Sequence, residues 1–185
     1  MSTTKIMIVR HAEKPNTDRG VAPDGSQNVE ELTVRGWQRA GALVGLFAPI
    51  GGHFIDSRLA TPQAIFASGV AHHSSSMRPQ HTVLPLAEKL GLTIDASHLK
   101  GDEEALARAA AEVGGIVLIA WEHERIPEIV RAIPGNDTRS PQAWPGDRFD
   151  VVWIFDRSVA AEPWSFGQVP QLLLAGDRAD PIAII

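Results

Sequence analysis

Cysteine is absent from the 185 residues, which excludes disulfide scaffolds, cysteine-ligated zinc or iron–sulfur centres, and any thiolate nucleophile. Long apolar runs are absent too. No window approaches the roughly 18 consecutive apolar residues of a membrane span. The first apolar run, Ile6-Met7-Ile8-Val9, is too short for a signal peptide and has no small-residue cleavage site after it. The chain therefore reads as cytoplasmic, with no membrane partner. Positive charge is in short supply: 17 Lys and Arg against 22 Asp and Glu give a net charge of −5. That balance argues against nucleic acid, whose partners carry a clustered basic face, but leaves room for a small anion held by a few local arginines. Repeats, low-complexity tracts and charged tails are also missing, so residues 1–185 read as a single domain.

What is present is an alternation of strand and helix signals. Ile6–Val9 is a β-branched apolar run suited to a strand buried on both faces. The polar stretch 13–31, with Pro15, Gly20, Pro23 and Gly25, reads as a long loop, and loops of that length in small domains are commonly functional. Thr33 is the expected N-cap of a helix carrying Val34, Trp37, Leu43, Val44 and Phe47 on one face. Ala64–Ala67 is a second short buried strand. Arg78 opens a helix to Leu90, with Pro79 in its tolerated first turn and Pro85 expected to kink or restart it. Asp102 is expected to cap Glu103–Val113, and Gly114-Gly115 to end that helix. Ile116–Ala120 and Val151–Phe155 are the remaining strong strands, a short helix opens near Pro127, and an edge strand or hairpin is expected after Trp164. This pattern specifies an α/β fold: a three-layer sandwich with a central, mostly parallel mixed sheet flanked by helices.

In such folds, ligands bind at the carboxyl edge of the sheet. Arg10 and His11 follow the first strand there, Arg78 opens the helix after the second, and His123 follows the third. Two guanidiniums offer rigid donor forks that match a tetrahedral oxyanion. A neutral imidazole beside them can attack phosphorus, and a second can hold an equatorial oxygen. Phosphoryl transfer needs in-line positioning and fixed positive donors more than elaborate covalent chemistry.

These residues carry a family resemblance. Arg10-His11-Ala12-Glu13-Lys14 after a buried strand resembles the Arg-His-Gly signature of the histidine phosphatase superfamily, the phosphoglycerate-mutase-like fold, in its shorter branch (branch 1). Leu32-Thr33-Val34-Arg35-Gly36 resembles the family's Leu-Thr-x-x-Gly helix start. Ser76-Met77-Arg78-Pro79-Gln80-His81-Thr82 resembles its Ser-x-Arg-x-x-x-Thr helix, and residues 116–123 resemble the strand delivering its second histidine. The resemblance covers about residues 5–156 in order. It implies His11 as a phosphorylated nucleophile, with Arg10, Arg78 and His123 completing a phosphate pocket. It also implies a phosphomonoester or phosphohistidine phosphatase that needs no metal or cofactor and acts on a small phosphorylated metabolite or a phosphoprotein. A phosphoglycerate-mutase-type transferase and a non-catalytic phosphate-binding module are the alternatives.

Three departures stand out. Ala12 replaces the usual glycine, and two carboxylates flank His123 in Glu122-His123-Glu124. The family's proton-donating glutamate falls near Asp102 and Glu103, which read more naturally as helix-capping residues than as donors. His72-His73 reads as a solvated loop pair, and His53, His81 and His98 as structural or surface residues. Pro127 occupies the place where a His-Glu-x-x-His zinc helix needs its second histidine. Substrate choice is expected to lie in residues 13–31, 69–76 and 134–148. The apolar end from Pro181 is expected to pack against the domain or a partner, and the oligomeric state is left open.

Overall fold

The apolar runs become the strands of one sheet in the computed structural model, which describes residues 3–72, 75–159 and 162–184. In chain order the elements are β1 (Thr4–Arg10), α1 (Val34–Phe47), β2 (Ala64–Ala67), α2 (Arg78–Leu90), β3 (Ile94–Asp95), α3 (Glu103–Val113), β4 (Gly115–Trp121), α4 (Ile126–Ala132), β5 (Val151–Arg157) and β6 (Ser165–Pro170). The sheet order is β3-β2-β4-β1-β5-β6. The first four strands in that order are parallel. β5 runs antiparallel to β1, and β6 pairs antiparallel with β5 as the expected hairpin. The protein is therefore α/β, with a six-stranded mixed sheet. No helix among the described residues is long and apolar enough to cross a membrane.

Successive strand residues face opposite sides, and here both sides are covered. Ile6, Ile8, Val117, Ile119, Trp121, Val151, Trp153 and Phe155 pack with Leu106 and Ala110 of α3 and Ile126 and Ile129 of α4. Met7, Val9, Leu118, Ala120, Val152 and Ile154 face Leu43 and Phe47 of α1 and Val83 and Leu86 of α2. Double burial is why β1, β4 and β5 read as unbroken apolar runs rather than alternating ones. Full burial of each such side chain contributes about 1.5–3 kcal/mol.

Helix ends follow the sequence with two exceptions. Thr33 caps α1, its hydroxyl accepting from Gly36 N–H at 3.1 Å, and Gly91, in the left-handed region at φ 66°, ends α2. Pro85 does not restart α2, which continues through it to Leu90. The missing N–H is offset by the packing of Val83, Leu86 and Ala87, all buried. Asp102 holds the N-cap position of α3, but its side chain makes no capping bond: the carboxylate turns back to accept from Leu99 N–H at 2.9 Å. At the other end of the chain, Ile182 is buried and exchanges bonds with the Gln168 side chain on β6. The expected packing of the apolar terminus thus holds at Ile182, while Ile185 lies outside the described residues.

The long 13–31 loop is tied at both ends. Thr33 N–H donates to the Glu13 carbonyl at 3.0 Å, and Gly36 lets α1 approach there, since a Cβ would stand 2.6 Å from that same oxygen. Beneath it lies Arg39, fully buried yet charged. Burial opposes its charge, but hydrogen bonds to Asp177 and Glu13 hold it firmly protonated. The Asp177 carboxyl, despite its own burial, is held below the usual range by the same guanidinium. Removing one partner of a buried ion pair leaves uncompensated charge, at a cost of about 3–5 kcal/mol. Arg39→Leu is therefore expected to lower unfolding free energy by that amount in urea titration; a loss below about 1 kcal/mol would show that the network carries no net stability.

Candidate active site

The carboxyl ends of β1, β2 and β4 open onto a cleft of about 340 Å³, lined by His11, Lys14, Glu30, His72, Ser75, Ser76, Arg78, Lys100, Glu122, His123 and Glu124. Parallel pairing of β1 with β4 brings Arg10 opposite Trp121. The pairing continues one step past the strand, with His11 N–H donating to the Trp121 carbonyl at 3.0 Å. His11 and His123 thereby reach one cleft from 112 residues apart in the chain.

His11 is buried, and its Nδ1 lies 2.7 Å from the Ala12 carbonyl oxygen. A carbonyl only accepts, so Nδ1 carries the proton and Nε2 is left with its lone pair. Burial first, then the field of Arg10, lowers the His11 pKa to about 3 despite the Ala12 bond. Ala12, where the resembled signature has glycine, fits without strain in a small cluster with Leu32 and Ala40. Its N–H donates to Thr82 Oγ1 at 2.7 Å, and that hydroxyl donates to the Arg78 carbonyl at 2.7 Å. One chain of hydrogen bonds therefore fixes the end of β1 against the first turn of α2.

Arg78, the first residue of α2, lines the cleft and is anchored by bonds from Nη2 to Val29 O (2.8 Å) and from Nε to Glu31 O (3.3 Å). The helix N-terminus adds its own preference for an anion. Glu31, in turn, binds His81 Nδ1 at 2.6 Å, and His81 stacks on Trp37. His81 is thus a structural residue with a named partner. His123 is neutral as well, its pKa lowered to about 4 by burial and by Arg10.

Arg10 does not line the cleft beside Arg78. It lies behind it, 1% exposed, with Nη1 donating to Gly146 O at 2.6 Å and Arg148 O at 3.2 Å and its guanidinium 3.8 Å over the Phe149 ring. Its Nε and Nη2 are buried without a partner among the described residues, and burial lowers its pKa to about 10. Two unmet donors on a buried guanidinium are costly.

Asp102 and Glu103 lie outside the cleft. Asp102 is held by Leu99 N–H, while Glu103 is buried and accepts from Trp121 Nε1 at 3.1 Å and from Gly101 N–H. Three acidic side chains line the cleft, Glu30, Glu124 and Glu122, and sequence reasoning named Glu122 only as a flank of His123. Its placement at the end of β4, one residue before His123, was the available signal. Of the expected specificity segments, 13–31 contributes Lys14 and Glu30, 69–76 contributes His72, Ser75 and Ser76, and 134–148 backs His123 through Gly146. His72 is exposed at the rim, and its neighbour His73 lies outside the described residues. No group of three or more histidines and carboxylates among the described residues is arranged to hold a metal ion.

Comparison with protein-family models gives no match, and comparison with curated proteins finds no similar chain.

The two lowered pKa values fix the behaviour of the imidazoles in acid. A histidine whose pKa falls from 6.5 to about 3 stays neutral until the pH approaches that lower value. In long-range ¹⁵N–¹H spectra, His11 is expected to hold the Nδ1–H tautomer unchanged from pH 8 to pH 5, assigned by its loss in His11→Gln. A titration midpoint near pH 6.5 would contradict the burial and the tautomer together.

Proposed function

We propose that the protein is a phosphatase of the phosphoglycerate-mutase-like type, hydrolysing phosphate monoesters or phosphohistidine through a covalent phospho-His11. The observation that carries this reading is the state of His11: desolvated, neutral, and held in the one tautomer that presents Nε2 as a lone pair, in a cleft that it shares with Arg78, Lys14 and Lys100 as well as with Glu30, Glu122 and Glu124. The ordered resemblance of Arg10-His11, residues 32–36, residues 76–82 and residues 116–123 supports the family, and the α/β architecture with its parallel β2, β4 and β1 agrees with it.

The geometry suits each step. The equatorial oxygens of the transferring phosphoryl group meet Arg78 and an N–H of neutral His123, with the α2 N-terminus and the charge of the buried Arg10 behind the cleft adding to the field. Arginines remain charged throughout, so the transition-state charge is met without a metal ion. His11 Nε2 attacks phosphorus, the bond to the leaving group breaks, and water then attacks the phosphohistidine to release inorganic phosphate. The rim is open, with Lys14, His72, Ser75 and Glu124 all exposed, which favours hydrolysis over transfer. A cleft of about 340 Å³ lies at the small-ligand end of the usual range and suits a compact metabolite.

His11→Ala is expected to reduce p-nitrophenyl phosphate hydrolysis to the buffer background, while EDTA leaves the wild-type rate unchanged. Arg78→Ala, which removes one fixed donor, is expected to lower kcat/KM by about 10²–10³-fold. Full activity in His11→Ala, with the chromogenic assay as readout, would refute the reading.

A further inference from the structure

Glu122 is the one group in the cleft whose environment the phosphate cradle does not explain. It lies at the carboxyl end of β4, beside the end of the adjacent parallel strand β2. Its Oε1 accepts from Ser68 Oγ at 3.2 Å. Its Oε2 is buried and has no hydrogen-bond partner among the described residues. The other nearby carboxylates are engaged: Glu30 with Arg78 at 3.4 Å, Glu124 with Lys100 at 3.7 Å, and Glu103 with the Trp121 indole.

A carboxylate with one oxygen buried and unmet is unfavourable, whereas a protonated carboxyl turns that oxygen into a donor in search of an acceptor. Burial is the main cause that pushes the Glu122 carboxyl above its usual range. The charged groups facing it act in both directions. Lys100 lowers its pKa and Glu103 raises it, and Glu122 is near enough to Arg78 to raise that residue's pKa. Phosphorylating His11 from an alcohol ester needs such a donor, because an alkoxide is a poor leaving group. Imidazole and nitrophenolate leave without one.

We propose that Glu122 is the proton donor to the leaving oxygen, and that the substrates are phosphomonoesters of polar alcohols rather than phosphohistidine. This rests on the phosphatase reading above. As His11 Nε2 bonds to phosphorus and the P–O bond to the alcohol breaks, the Glu122 carboxyl proton passes to the departing oxygen, giving the free alcohol, phospho-His11 and the Glu122 carboxylate. That carboxylate then takes a proton from the attacking water as the P–N bond breaks, restoring neutral His11 and the Glu122 acid and releasing phosphate. The outer cleft is polar throughout, with Lys14, His72, Ser75 and Lys100 at its edge, which fits a hydroxyl-bearing alcohol better than an apolar one.

The test compares glycerol 2-phosphate with p-nitrophenyl phosphate for the wild type, Glu122→Gln and Glu124→Gln. Glu122→Gln is expected to lose about 10²–10⁴-fold in kcat/KM on the glycerol ester while staying within about tenfold on the nitrophenyl ester and still phosphorylating His11. The acidic limb of its pH profile for the nitrophenyl ester should be unmoved. Equal losses on both esters, no loss on either, or a selective loss in Glu124→Gln instead would overturn the assignment of Glu122 and leave the phosphatase reading intact. A wild type that hydrolyses neither ester and gains no phosphoryl group would remove both. Should Glu122→Gln fail to fold, the wild type alone decides across a series of alkyl and aryl phosphates. A kcat/KM nearly independent of leaving-group basicity requires an internal acid, and a steep dependence contradicts one.

Discussion

The bond from His11 Nδ1 to the Ala12 carbonyl sets what the cleft can do. It leaves Nε2 unprotonated, and the burial around it keeps the ring neutral. The same short segment anchors the rest of the site. The Ala12 N–H holds Thr82, Thr82 holds the Arg78 carbonyl, and Arg78 reaches across to the carbonyls of Val29 and Glu31. His11, the cationic start of α2 and the end of the 13–31 loop are thus one hydrogen-bonded unit. It is hung on the parallel pairing of β1 and β4 that delivers His123.

That unit has an electrostatic cost. Arg10 is buried with two donors unmet, and its field helps push both His11 and His123 below their ordinary pKa. Two unmet donors and two desolvated imidazoles are destabilising, and the scaffold offsets this elsewhere. The Arg39 network with Glu13 and Asp177 ties the loop following the nucleophile to the C-terminal segment, and the doubly covered sheet supplies the apolar burial. The cleft itself carries Lys14, Arg78 and Lys100 against Glu30, Glu122 and Glu124, so the net charge of −5 says little about the local site.

Much of this was legible in the residues. Unbroken β-branched runs marked the doubly buried strands, Thr33 marked the start of α1, and Arg10, His11 and His123 stood at strand ends because parallel pairing puts them there. What was hidden depended on contacts far apart in the chain. An apolar run such as Val151–Phe155 reads alike in either direction, so the antiparallel pairing of β5 with β1 left no trace in it. Pro85 signals a break, yet tertiary packing carried α2 through it. Asp102 has the right residue type for a cap, but Leu99 N–H competes for its carboxylate. Arg39 on an amphipathic helix looks solvated until Asp177, 138 residues on, closes over it. Glu122 was visible as a residue beside a catalytic candidate. Its distinguishing property, an oxygen sealed off without a donor, exists only in the folded chain.

The proposed chemistry passes through one bond that can be caught directly. Wild-type protein mixed with a ³²P-labelled aryl phosphate and quenched within a turnover should carry label that is stable in base, labile in acid, and confined to the peptide containing His11. Turnover with label on a hydroxyl or carboxyl side chain, or turnover with no label on the protein at all, would contradict a phosphohistidine mechanism.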